Sequence, residues 1–169
     1  MKFRISSLVL SLLLTGCVTT PASNGEYYSD QDLISAGGVQ LRGNDIVGII
    51  SGNTLYGQYL DPTKPDPKIQ EPTKAGDVEV ERRWVEFVSN DGRVAYYNFQ
   101  QLIQGSWQLK TDLICFNYKM EIPQPENCFV VYGLDNKHYF ISTRQQTVGQ
   151  VVTVILGRKN GNVEGFELK

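Results

Sequence analysis

Residues 105–118 read GSWQLKTDLICFNY and residues 127–132 read NCFVVY, and these two stretches decide the fold. Gly105 and Trp107 open a strand, and the arms that follow carry Cys115 and Cys128 on either side of a polar, proline-bearing loop. Short runs of aromatic and β-branched residues bounded by turn residues are the signature of antiparallel strands joined by tight connections. Cys115 and Cys128 are therefore expected on neighbouring strands.

The same pattern extends outward on both sides. RWVEFV (83–88) and RVAYYNF (93–99) flank Ser89-Asn90-Asp91-Gly92, and Asp-Gly tolerates the positive φ that a tight hairpin turn requires. Strands follow at 107–109 and 113–118, joined across Lys110-Thr111-Asp112. The strand at 127–132 turns at residues 134–137 into one at 138–143, and a β-branched run at 148–156 ends before Gly157-Arg158-Lys159-Asn160-Gly161. With a strand beginning at NTLYG (53–57), the count is about eight. The fold class is all-β: an antiparallel meander closing into a small eight-stranded barrel, with an open sandwich as the alternative.

Two short helices are expected before the meander. Ser29 is a natural N-cap for Asp30-Gln31-Asp32, with acids in the first turn and Gly37-Gly38 ending the element. Residues 43–50 place Ile46, Ile49 and Ile50 at i, i+3 and i+4 on one face, suited to plugging an end of the sheet. Residues 60–76 hold four prolines and no alternation, and read as an exposed loop. Length allows one domain, spanning 30–169, and the slightly acidic balance (formal net charge −2) leaves no basic footprint for nucleic acid.

The N-terminus differs in kind. Lys2 and Arg4 precede the apolar run 5–14, which is too short to span a bilayer. Leu14-Thr15-Gly16-Cys17 resembles the bacterial lipobox. That resemblance implies a signal peptide over 1–16, cleavage before Cys17, a diacylglycerol thioether on its sulfur and acylation of its new amine. Several acyl chains at ~0.8 kcal/mol per buried CH₂ would anchor the chain permanently. Val18 at the following position implies sorting to the outer membrane, and 17–29 has the Pro/Gly/Ser-containing character of a tether.

Ser51-Gly52-Asn53-Thr54-Leu55, Asn90-Asp91-Gly92, Gly105-Ser106-Trp107, Leu113-Ile114-Cys115 and Cys128-Phe129 occur in this order. As a set they resemble a family of small exported proteobacterial β-domains without an assigned activity, over about residues 43–162. That family supplies no catalytic residue. Gly105-Ser106-Trp107 also resembles the lipocalin Gly-x-Trp, displaced from the first strand to mid-chain, and implies a similar barrel.

Candidate chemistry is sparse. An exported protein occupies an oxidising compartment, where Cys115 and Cys128 form a disulfide. Two thiols and one histidine fall short of a four-ligand zinc site, so no metal is expected. His138 has no serine in a Gly-x-Ser-x-Gly turn to act on. Glu79, Glu81 and Glu86 alternate with apolar residues as the solvent face of a sheet does. Tyr96, Tyr97, Phe99, Trp107, Phe116 and Tyr118 are the aromatics that fill or line the barrel. No cofactor is implied. The expected function is non-enzymatic: a lipid-anchored cell-envelope protein binding an envelope partner or small ligand. The alternatives are a periplasmic C-type lysozyme inhibitor and a carrier of a small apolar ligand.

Overall fold

The computed structural model describes residues 27–60, 83–98 and 100–169. The leader, Cys17, most of the tether, residues 61–76 of the proline-rich loop, Glu79, Glu81 and Phe99 lie outside the described residues. Nine strands and two helices follow in order: α1 (Asp30–Ser35), β1 (Val39–Gln40), α2 (Asn44–Ile50), β2 (Asn53–Tyr59), β3 (Arg83–Val88), β4 (Arg93–Tyr97), β5 (Leu102–Lys110), β6 (Leu113–Tyr118), β7 (Asn127–Leu134), β8 (Lys137–Ser142) and β9 (Val151–Asn160). Strands β2 to β9 pair in sequence order, and β9 returns to β2, so the meander closes as an eight-stranded antiparallel barrel. Closure removes the free edges that an open sheet would leave.

Turn chemistry acts where the sequence placed it. Gly92 adopts φ 86 in the β3–β4 turn, and Asp135 and Asn136 adopt φ 50 and 63 between β7 and β8. Strand ends differ more. β5 begins at Leu102 rather than Trp107, and β9 runs on through Gly157, Arg158, Lys159 and Asn160, which pair with β2. The side chains of Arg158, Lys159 and Asn160 are exposed, so backbone pairing alone carries them and apolar periodicity misses them.

The helices close and clad the barrel. Ser29 caps α1 in a full capping box with Asp32, and Leu33 is buried outside the barrel with Tyr139, Ile141, Val151 and Val154. Tyr27, read in the sequence as tether, packs edge-on against Tyr139, and Tyr28 O accepts from Val151 N at 2.9 Å. α2 inserts Ile46 and Ile50 into the barrel core beside Leu55, Val88, Val94 and Ile155, plugging one end. Asn53 Nδ2 and Arg158 Nη1 donate to the carbonyls of Ile49 and Gly48 at 3.0 Å each, satisfying the end of that helix.

The β6–β7 ladder is the shortest in the ring, with three residue pairs, and Cys115 faces Cys128 in the middle one. The two are disulfide-bonded with Cα atoms 4.0 Å apart. β1 takes up the edge of β7 that β6 leaves, pairing Gln40 with Tyr132 and Val39 with Gly133. The disulfide therefore staples the weakest seam of the barrel. Cys115→Ser is expected to cost about 3 kcal/mol, the chain-entropy value for a loop of this size. A denaturant midpoint unchanged by the substitution would remove that role.

Residues 161–169 cross the outer face of the sheet. Thr54 Oγ1 donates to Gly161 O at 2.6 Å, Tyr56 OH to Glu164 Oε1 at 2.5 Å, and Gln104 Nε2 to Glu167 O at 2.6 Å. Phe166 packs against Tyr97 with ring centroids 6.4 Å apart.

Candidate functional site

The end of the barrel opposite α2 is a cup. Its cavity is about 310 Å³, at the lower bound of the ~300–1,000 Å³ usual for small-molecule sites. Alternation along each strand sets the lining: Leu55 and Tyr59 from β2, Trp84 and Glu86 from β3, Tyr96 from β4, Phe116 and Tyr118 from β6. Phe129, Phe140 and Val152 complete the wall from β7, β8 and β9, and Arg144 and Thr147 stand on the β8–β9 connection. β2 ends and β3 begins at this end of the barrel, and residues 61–82 between them lie outside the described residues.

Six of these rings form one continuous belt. Centroid separations are 6.5 Å for Trp84–Tyr96, 5.3 Å for Tyr96–Tyr118, 6.0 Å for Phe116–Tyr118, 6.3 Å for Phe116–Phe129 and 5.6 Å for Phe129–Phe140. Tilted and edge-on pairs at such separations are favourable beyond area burial alone. Gly57 makes room for the belt: a Cβ there would stand 2.0 Å from Trp84 Cζ2. The indole is fixed by its Nε1, which donates to Thr153 Oγ1 at 2.7 Å, and Thr153 in turn donates to Gln58 O at 2.8 Å.

Glu86 is the one acid in this lining. It is 3 % exposed, and its Oε1 accepts from Tyr118 OH at 2.8 Å. Burial pushes its carboxyl up to about 8, with the Tyr118 hydrogen bond pulling the other way. The Tyr118 phenol is held well above its ordinary value by burial first and Glu86 second. Tyr59 OH and Tyr96 OH share a hydrogen bond of 2.6 Å, and burial raises both. Beside them, Arg83 is buried with its Nε lacking a hydrogen-bond partner among the described residues.

The sequence placed Glu86 on a solvent face, and the structure corrects that. Glu86 shares its face with Trp84 and Val88, which point into the core, while Val85 on the opposite face is also fully buried. An acid two residues from a tryptophan and a valine was the available signal. Of the aromatics singled out, Tyr96, Phe116 and Tyr118 line the cup. Tyr97 points outward onto Phe166, because neighbours on a strand face opposite ways. Trp107 sits away from the cup, its Nε1 donating to Ser89 O at 2.8 Å across the β3–β4 turn.

No family model, curated protein or solved structure matches the chain.

His138 shares a strand face with Phe140 and Ser142, and burial lowers its pKa, assisted by Arg158. Ser142 Oγ bonds Thr147 Oγ1 at 2.6 Å rather than the imidazole. Cys115, Glu126 and Cys128 form the one group of potential metal ligands among the described residues, and both sulfurs are committed to the disulfide. What the cup offers chemically is an apolar, aromatic enclosure with a single carboxyl, the exposed guanidinium of Arg144, the amide of Asn127 and a few hydroxyls.

Proposed function

We propose that this chain is a lipid-anchored protein of the outer membrane whose barrel binds a small, mostly apolar ligand without transforming it. The supporting observation is the cup: an aromatic belt around a cavity of about 310 Å³, with polar groups at only a few places. Apolar enclosure with a few placed polar atoms is the usual makeup of a small-molecule site. The lipobox-like Leu14-Thr15-Gly16-Cys17 supports the anchored half of the reading.

Replacing residues 1–17 with a leader that ordinary signal peptidase removes is expected to move the protein from the membrane fraction to the soluble periplasmic fraction while it stays folded. Retention on membranes would end the lipid-anchor reading. With that soluble variant, an apolar fluorescent probe such as N-phenyl-1-naphthylamine is expected to bind saturably, one per chain. Trp84 lines the cup and Trp107 does not, so Trp84→Phe should weaken probe binding and Trp107→Phe leave it largely unchanged. Absence of saturable binding would remove the ligand-binding reading.

A further inference from the structure

We infer that the cup selects ligands bearing an organic cation, a protonated amine or quaternary ammonium, which pairs with Glu86 inside the aromatic belt. This rests on the ligand-binding reading and names the class of ligand. Four observations converge on it.

Glu86 lines the cavity and is almost wholly buried, yet it has no cationic partner among the described residues. Its one hydrogen bond among the described residues comes from Tyr118 to Oε1, so Oε2 has acceptor capacity left for a ligand. The cation lining the same cavity, Arg144, is exposed and donates through Nη2 to Pro125 O at 3.3 Å. Finally, Trp84, Tyr96, Tyr118 and Phe116 line the cavity, and the face of such a ring carries a negative quadrupole that attracts a cation. A buried carboxylate is costly alone, and an opposite charge at short range offsets that cost. A ligand ammonium supplies that charge, an alcohol supplies only a hydrogen bond, and a carboxylate meets repulsion.

Proton linkage gives the same class a pH signature. The titratable groups facing Glu86 are Tyr59 from β2, Tyr96 from β4 and Tyr118 from β6, all held neutral by raised pKa values, with the Arg144 guanidinium on the β8–β9 connection. Without ligand, Glu86 keeps its proton up to about pH 8. Binding an ammonium expels that proton, so affinity should rise about tenfold per pH unit below that value. A neutral ligand of the same length should show no such slope.

The test is calorimetric titration of the same soluble variant with octylammonium, 1-octanol and octanoate at pH 8. Octylammonium is expected to bind at least tenfold more tightly than 1-octanol, and octanoate most weakly. Glu86→Gln should weaken octylammonium at least tenfold and erase its advantage. Repeating the wild-type titrations at pH 6 and 7 supplies the slope independently of how well the variant folds. Equal or tighter binding of octanol or octanoate, or a cation preference that survives Glu86→Gln or shows no pH slope, overturns the inference. If octanol binds without a cation advantage, only the ligand class falls. If none of the three binds, the ligand-binding reading falls with it.

Discussion

The wild-type chain should lose stability as pH rises from about 4.5 toward 8, and Glu86→Gln should flatten that loss. In this window the unfolded Glu86 has released its proton, at the ordinary value of 4.5, while the folded one retains it up to about 8. The native state then binds more protons than the unfolded state, so unfolding becomes easier with each increment of pH. The limiting slope is about 1.4 kcal/mol per unit, and over this interval the loss amounts to roughly several kcal/mol. Other groups work in the opposite direction. His138, with its depressed pKa, adds stability as pH rises through its ordinary value. Asp91 and Glu126, held low by Arg93 and Lys110 respectively, contribute above the ordinary carboxylate range and act below this window. The difference between the wild-type and Glu86→Gln profiles isolates Glu86. Urea midpoints at pH 5, 6, 7 and 8 would measure it, and parallel profiles would show that the carboxyl is not buried as described.

Gly57→Val should destabilise the barrel by about 3 kcal/mol or more, at the upper end of what overpacking costs. Strand propensity alone would argue the reverse, since valine suits a strand better than glycine. The indole of Trp84 decides the outcome: an added Cβ would meet Cζ2, Cε2 and Cη2 at 2.0, 2.3 and 2.7 Å. Nothing short of moving the ring relieves that overlap. Moving it breaks the Nε1–Thr153 bond and opens the aromatic belt beside Tyr96. For a chain of this size the melting temperature should drop by roughly 10 °C. The same substitution in a Trp84→Leu background should cost much less, because the two residues form one contact and their effects are not additive. A melting point within a degree or two of the parent would refute the packing.

Much of the architecture is legible from short-range chemistry. Asp91-Gly92 marks the β3–β4 hairpin, Ser29 and Asp32 mark the start of α1, and Ile46 with Ile50 marks the buried face of α2. Cys115 and Cys128 fall on adjacent strands and meet. The lining of the cup is harder to read. Tyr96 and Tyr97 are equally good strand residues, and only register decides which one turns inward. The exposed end of β9 carries no apolar signal, and β1 is two residues long.

The sequence by itself determined the class of fold, the number of barrel strands and the positions of most turns, because each depends on neighbours a few residues apart, and the pairing of the two cysteines, because consecutive strands carry them. Only the tertiary structure decided that β9 closes onto β2, that β3 is buried on both faces, and that Glu86 faces an aromatic cup instead of water. Those outcomes depend on which distant segments cover a strand. Solvation of a carboxyl is set by everything packed around it, and no local pattern in the chain records that.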